Sequence, residues 1–204
     1  MNHAPTIFLG VLLTFTSAWL GLVFAPYAQL RDLSPTAEEG ADPYPVPLTG
    51  RALEGRRVYQ ANGCLYCHSQ QVRREGFGSD VARGWGPRQT VARDYLYDHP
   101  HLLGTMRTGP DLANIGARQP SAKWHHLHLY EPRITSPGSL MPTFSYLYET
   151  RKVVGQPSHE ALDLPEGWQV PRGYEVVPTD EALALVAYLQ SLDHTAPLKE
   201  AETP

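Results

Sequence analysis

Two cysteines and a histidine stand close together in the sequence, in a pattern that can bind a porphyrin. They occur as Cys64-Leu65-Tyr66-Cys67-His68, and the chain contains no other cysteine. A spacer of two residues puts the two thiols about one helical turn apart, within reach of two neighbouring vinyl groups of a haem. The histidine that follows is then placed to bind the iron. The C-x-x-C-H pattern therefore predicts one covalently attached haem c, held by Cys64, Cys67 and His68.

The same pair of cysteines is compatible with two other sites, a redox-active dithiol and part of a zinc site. A zinc site needs a second pair of ligands, which no other cysteine of this chain can supply. A thioredoxin-like dithiol is expected in a βαβ context, which the sequence around Cys64 does not show. A disulfide between Cys64 and Cys67 would leave His68 without a function. Either alternative predicts a colourless protein.

A haem iron that only carries electrons needs a second protein ligand, whereas an open position would bind oxygen, peroxide or another small molecule. Two methionines follow the haem motif: Met106 precedes Gly109-Pro110, and Met141 lies between Pro137 and Pro142. Because prolines reduce the conformational entropy of a free loop, they help to hold a ligand in place. We therefore predict that Met141 is the second axial ligand and that Met106 packs beside the haem.

Pro110 and three histidines are the remaining candidates for the site. The Gly109-Pro110 turn predicts that the proline carbonyl accepts a hydrogen bond from the free ring N–H of His68, which would orient the ring and tune its basicity. An ordinary turn is the alternative interpretation. His125, His126 and His128 resemble a metal site, but three histidines in one short segment more often form a solvated or structural face. We assign them no ligand.

The N-terminal residues predict a membrane anchor. Residues 7–25 contain no charged side chain, and about 19 residues of helix span about 29 Å, close to the thickness of the hydrocarbon core of a bilayer. A cleaved signal peptide, the alternative, usually has a shorter apolar region after a basic start, and this segment starts without Lys or Arg. We therefore predict an anchor at residues 1–30 and a linker at residues 31–50, which is rich in proline, glycine and acidic residues.

Two short helices are predicted to flank the haem motif. Residues 53–62 form the first, which ends just before the haem motif, and residues 179–193 form the second, with Thr179 as its N-cap and acidic residues in its first turn. Two such helices around a haem motif are the frame of a class I cytochrome c. In that frame Gly55 and Tyr59 face the C-terminal helix.

These elements predict a mainly α fold, in which one N-terminal transmembrane helix is followed by a class I cytochrome c domain with long loop insertions. We expect the mono-haem cytochrome c domain at residues 51–195 and a C-terminal tail at residues 196–204. The net charge of −4 and the isoelectric point near 6.1 argue against binding of nucleic acid, which usually requires a basic surface.

Several short blocks between the anchor and about residue 148 carry more information than the haem motif alone. They are Leu13-Thr14-Phe15, Trp19-Leu20-Gly21-Leu22, Gly55-Arg56, Val58-Tyr59, Cys67-His68-Ser69-Gln70, Arg107-Thr108-Gly109-Pro110-Asp111-Leu112-Ala113, Trp124-His125, Pro132-Arg133 and Met141-Pro142. Together they resemble subunit II of cbb3-type cytochrome c oxidases, a membrane-anchored mono-haem cytochrome c. Residues 79–97 and 154–177 match none of these blocks, and their roles stay open.

The resemblance implies an electron carrier within a respiratory complex. Such a subunit takes electrons from a di-haem cytochrome c subunit or a related donor and passes them to the catalytic haem–copper subunit, where oxygen is reduced to water. It is not an enzyme on its own. Its axial ligands correspond to His68 and Met141 here. Because c-type haem is attached outside the bacterial cytoplasm, we expect a single-pass protein of the inner membrane with its haem domain in the periplasm.

Two other functions fit the same motif. A mono-haem cytochrome c subunit of a nitric oxide reductase shares the architecture of one anchor and one haem. A haem enzyme or gas sensor with an open iron site would instead bind carbon monoxide readily.

Overall fold

The computed structural model describes residues 2–37 and 42–201, which fall into two compact units. The first unit comprises residues 1–46 and 92–96, and the second comprises residues 47–91 and 97–204. Met1 and residues 38–41 and 202–204, which belong to the predicted anchor, linker and tail, lie outside the described residues.

The first unit begins with one long apolar helix. It consists of α1 (Ala4–Trp19), a π-helical turn (Leu20–Phe24) and α2 (Ala25–Leu30). The whole helix has 27 residues, and the mean hydropathy of its apolar stretch is 2.1 with none of that stretch buried. At 1.5 Å per residue it is about 40 Å long. It is therefore long and apolar enough to cross a membrane, as the sequence predicts.

The residues after this helix make specific hydrogen bonds. Thr36 and Tyr44 exchange two backbone hydrogen bonds of 2.8 Å each. The Tyr44 hydroxyl donates to the carboxylate of Asp94 at 2.6 Å, and Asp94 lies in a 3-10 turn (Ala92–Tyr95). Part of the predicted linker is thus hydrogen-bonded to a later segment of the chain.

The core of the second unit forms where α3 (Gly50–Ala61) packs against α7 (Asp180–Ser191). The Thr179 hydroxyl accepts a hydrogen bond from the amide of Ala182, so it caps α7 as predicted. The rings of Tyr59 and Tyr188 meet edge to face, with their centroids 5.3 Å apart. Both helices were expected from the sequence, and their bounds differ from the prediction by no more than three residues.

Gly55 allows the close approach of the two helices. A Cβ atom at this position would lie 1.8 Å from the carbonyl oxygen of Ala184 in α7. Because the obstacle is backbone, the helices would have to move apart to admit a methyl group. Glycine is therefore required where the two helices cross, although it stabilises a helix less than alanine does.

We expect Gly55→Ala to destabilise the second unit by about 2 kcal/mol, because overpacking against backbone costs about 3 kcal/mol, the upper end of its usual range, and the gain in helix propensity returns only about 1 kcal/mol. The measurement is the urea midpoint of the full chain in detergent. Arg57→Ala, on the exposed face of the same helix, is the matched control, since its ion pair with Glu54 is solvent-exposed and is worth little. Equal midpoints for the two variants would contradict the prediction.

Three short helices and two strands complete the second unit. The helices are α4 (Ile115–Arg118), α5 (Ala122–Tyr130) and α6 (Pro132–Thr135). Strands β1 (Tyr148–Lys152) and β2 (Tyr174–Pro178) pair antiparallel, with Tyr148 opposite Pro178. The strands were not predicted. The predicted fold class, mainly α with one N-terminal apolar helix and a following domain, is confirmed.

Candidate functional site

The haem motif follows α3 directly, and its three side chains lie within one tight turn. Gly63 has a φ of 67°, a left-handed conformation that ends the helix. A 3-10 turn (Cys64–Tyr66) follows, and the Cys64 carbonyl accepts hydrogen bonds from the amides of Cys67 at 3.2 Å and His68 at 3.0 Å. The backbone therefore gathers both cysteines and the histidine in a single compact element.

Both cysteines are free thiols. Cys67 is exposed, whereas Cys64 is half-buried and packs against the apolar core. Burial raises the pKa of the Cys64 thiol to about 11, which is opposite to the lowered pKa of a reactive dithiol. Within residues 2–37 and 42–201 no group of three or more His, Cys, Asp or Glu side chains is arranged to hold a metal ion. The raised pKa of Cys64 is thus not that of a reactive dithiol, and the described residues supply no zinc site at the two cysteines.

His68 is held in one orientation by Pro110. The distance from its Nδ1 to the Pro110 carbonyl oxygen is 2.7 Å. Because a carbonyl can only accept, Nδ1 carries the proton and the lone pair of Nε2 is left for a metal. Burial lowers the pKa of His68, an effect that the Pro110 hydrogen bond and the Asp111 charge oppose. A neutral ring with Nε2 as acceptor is the form in which histidine binds iron.

Gly109 lies next to the imidazole of His68, with no room between them for a side chain. A Cβ atom on Gly109 would lie 2.2 Å from Cε1 and 2.7 Å from Nδ1 of the ring. The Gly109 amide also donates to the carbonyl of Cys67 at 2.9 Å. The sequence drew attention to the Gly-Pro pair through the proline, but the structure shows that the glycine is needed as well, because no side chain fits there.

Met141 and Met106 lie in different environments. Met141 is half-buried and packs against the apolar core, and its amide donates to the Ser139 hydroxyl at 3.2 Å. Met106 is 56% exposed. A thioether that seals one side of a haem has to be fixed and shielded from water, so the burial of Met141 favours it over Met106 as the second ligand.

The three histidines of α5 are occupied by structural contacts. Their ring nitrogens bond as follows: His125 Nε2 to the Gln119 carbonyl at 2.8 Å, His126 Nδ1 to the Tyr148 hydroxyl at 3.1 Å, and His128 Nδ1 to the Thr135 hydroxyl at 2.5 Å. Burial lowers the pKa of His126 and His128 to about 4. The rings are thus neutral parts of the fold.

A buried network of charged and polar groups joins the segment that contains Pro110 to the residues around Asp80. The sequence did not predict this network. Arg107 donates to Asp80 at 2.6 Å, and Asp80 also accepts from the amide of Arg73 at 2.7 Å. Burial raises the pKa of Asp80, but its bonds to Arg107 and to the Arg73 amide outweigh burial and hold the pKa below its ordinary value. Asp80 lies in one of the stretches to which the sequence assigned no role.

The lowered pKa of Asp80 gives a testable pH dependence. Since its folded pKa lies below the unfolded value of about 3.9, the ionised carboxylate stabilises the fold above about pH 4, and this contribution is lost as pH falls through the folded pKa. Asp80→Asn should be less stable than the native chain at pH 7, and the difference should shrink below pH 4. Urea midpoints followed between pH 7 and pH 3 measure this.

Asp163→Asn is the matched control for this pH dependence. Asp163 also pairs with a cation, Lys123, but both side chains are exposed, so solvent screens the pair. A loss of stability at pH 7 as large for Asp163→Asn as for Asp80→Asn, with the same recovery in acid, would contradict the assignment to the buried network.

The residues of the site fit a covalently attached haem. Two free thiols and a neutral imidazole with its Nε2 available share one turn, and a glycine leaves room beside the ring. The donor set of sulfur and imidazole nitrogen is the one that c-type haem requires.

Comparison with known proteins gives one finding. Residues 3–171 match the family described as "Cytochrome C oxidase, mono-heme subunit/FixO". No curated protein matches the chain.

Proposed function

Since the chain belongs to the FixO family of mono-haem cytochrome c oxidase subunits, we propose that it relays electrons to the catalytic haem–copper subunit of a cbb3-type oxidase. The single observation that carries this proposal is the His68 ring, which the Pro110 carbonyl fixes at 2.7 Å with Nε2 left available, beside two free thiols. The family match favours the oxidase over the nitric oxide reductase alternative.

The proposed division of the chain follows the sequence prediction. Residues 1–30 anchor the protein in the bacterial inner membrane, residues 31–50 link the anchor to the haem domain, and residues 51–195 form that domain on the periplasmic side, with a tail at residues 196–204. The apolar helix Ala4–Leu30 supports the anchor. An anchored protein moves only in the plane of the membrane, so it meets its partners there. Electrons can then pass over a short distance without a separate soluble carrier.

Each site residue has one task in this proposal. Cys64 and Cys67 would hold one haem c through thioether bonds, and His68 and Met141 would be the protein ligands of its iron. When bound, haem c supplies a carrier for one electron, because its iron changes only between two charge states. The Pro110 carbonyl holds the His68 ring by accepting a hydrogen bond from Nδ1–H, and this bond increases the basicity of Nε2.

The chain also has to prevent other molecules from binding the iron. Met141 is half-buried against the core, and as the second ligand it would leave the iron no open position for oxygen or another small ligand. Electron transfer of this kind needs no general acid, base or nucleophile, because the iron changes only its charge. The proposed partners are therefore the di-haem cytochrome c subunit as donor and the catalytic haem–copper subunit as acceptor, where oxygen is reduced.

The experiment is to purify the full chain in detergent from a host that attaches c-type haem. We expect a low-spin c-type absorption spectrum, no change on adding carbon monoxide, and copurification with a co-expressed cbb3-type catalytic subunit. Cys64→Ser with Cys67→Ser is the matched control, and this variant should be colourless. Ready binding of carbon monoxide would indicate an open iron site, and copurification with a nitric oxide reductase instead would replace the proposed complex.

A further inference from the structure

Arg107 makes three hydrogen bonds within the buried network next to the candidate site. We infer that Arg107, fixed by Asp80 and Trp85, is a positioning residue that holds the Pro110 carbonyl against the ring of His68. This inference rests on the proposed function only in taking His68 as an iron ligand. It also gives a role to the segment around residue 80, which matched none of the recognised blocks.

Pro110 belongs to a segment that is hydrogen-bonded along its length to the residues around His68. The contacts join residues 109–112 to residues 67–71: the Gly109 amide to the Cys67 carbonyl at 2.9 Å, the His68 ring to the Pro110 carbonyl at 2.7 Å, the Leu112 amide to the Ser69 carbonyl at 2.8 Å, and the Gln71 amide to the Asp111 carboxylate at 2.7 Å. The position of the Pro110 carbonyl therefore depends on how tightly these two segments are held together.

Arg107 clamps the same two segments from the other side of Pro110. Its Nε donates to the Ser69 hydroxyl at 2.8 Å, and one terminal nitrogen donates to the Gln71 carbonyl at 2.6 Å. The Ser69 hydroxyl in turn donates to the carboxylate of Asp111 at 2.7 Å. Arg107 precedes Pro110 in the sequence and Asp111 follows it, and both are hydrogen-bonded to residues 69–71. The proline therefore lies between two fixed residues.

The guanidinium itself is fixed by groups from a different part of the chain. Asp80, only 2% exposed, accepts from its second terminal nitrogen at 2.6 Å. The indole of Trp85 lies under the guanidinium, 5.1 Å from its carbon to the ring centroid, a distance suited to a cation–π contact. The Trp85 amide donates to the Asp80 carbonyl at 3.0 Å, and its carbonyl accepts from Asn114 at 2.9 Å.

Each of the three nitrogens in the planar guanidinium fork of Arg107 donates to an acceptor, and an aromatic face lies against the group. A lysine would keep the charge, but a single ammonium group on a flexible stem cannot reach the same three acceptors in the same geometry. Loss of the fork should loosen residues 107–112 and weaken the bond between His68 and Pro110. A weaker bond makes the imidazole a poorer donor to ferric iron, which raises the midpoint potential.

The test compares Arg107→Lys with Arg83→Lys in the full chain in detergent. Arg83 stacks on the same indole at 5.0 Å and is exposed, so its exchange for lysine changes the aromatic contact without touching residues 69–71. In Arg107→Lys we expect amide hydrogen exchange at Gln71, Gly109 and Leu112 to become faster by about tenfold or more, together with a higher midpoint potential. Both quantities should stay at native values in Arg83→Lys.

A merely structural effect is separated from positioning by two further measurements. Amides of α7 serve as an internal reference, because faster exchange there as well would show general destabilisation and contradict the inference. If Arg107→Lys does not fold, Ser69→Ala is the alternative variant. It removes the hydroxyl that bridges Arg107 and Asp111 but keeps their direct ion pair at 3.7 Å, so it should accelerate the same three amides to a smaller extent. Unchanged exchange in Ser69→Ala, or an unchanged potential in a folded Arg107→Lys, overturns the inference.

The two proposals can fail separately. Amide exchange reports on the clamp whether or not the chain carries haem. A colourless native chain whose amides still respond to Arg107→Lys would refute the proposed function and leave the clamp in place. A haem-loaded chain whose amides and potential do not respond would refute the clamp alone.

Discussion

Gly109→Ala is expected to reduce the haem content of the purified chain to about a tenth of the native value or less. The new Cβ would lie 2.2 Å from Cε1 of His68, so the ring has to leave its position and its bond to Pro110 is lost. Overpacking costs on the order of 1–3 kcal/mol, and 1.4 kcal/mol is tenfold in an equilibrium, so only about a tenth of the chains would hold His68 in place while the haem is being attached. Haem per polypeptide, measured from the reduced absorption spectrum, is the readout.

Gly155→Ala is the control for this prediction. Gly155 has a φ of 83°, but no atom lies within 4 Å of a Cβ built there, so alanine meets backbone strain without a collision. This variant should keep its haem. If Gly109→Ala were as fully loaded as Gly155→Ala, the ring of His68 would not be confined as the structure indicates.

The parts of the site that the sequence predicted are those with local signals. Cys64, Cys67 and His68 lie within five residues, and α3 and α7 carry caps and apolar spacing within their own length. The contact of Gly55 and Tyr59 with the C-terminal helix followed from recognising these two helices as one frame. Each of these features can be identified without knowing which distant segments meet.

The parts that the sequence could not predict depend on contacts between distant segments. Asp80 and Arg107 are 27 residues apart, and neither has a neighbour in sequence that marks it as a partner of the other. The pairing of β1 with β2 joins Tyr148 to Pro178, and β1 itself is polar and mostly exposed. Its strand character comes from that pairing, which only the folded chain reveals.

The glycines show the same division in a single residue type. Gly63 ends α3 in a left-handed conformation, a role that glycine commonly takes just after a helix. Gly109 is needed because a ring 41 residues earlier in the chain lies against it. Nothing in the residues around Gly109 distinguishes this requirement from that of an ordinary Gly-Pro turn.

Met141→His tests the proposed ligand set most directly. Met141 is half-buried against the core, so a histidine that replaces it remains shielded from water and able to bind the iron. Thioether sulfur favours the ferrous state, whereas a second imidazole is a stronger donor to ferric iron. Axial ligands alone change haem potentials over a range of about 0.8 V, so the expected change is large.

We expect the midpoint potential of Met141→His to be lower than that of the native chain by on the order of 100 mV or more, with the spectrum still low-spin. A redox titration of the full chain in detergent measures the change. Met106→His is the matched control and should keep the native potential, because Met106 is exposed. If instead Met106→His lowered the potential and Met141→His did not, the sulfur ligand would be Met106, and the burial of Met141 would reflect packing alone.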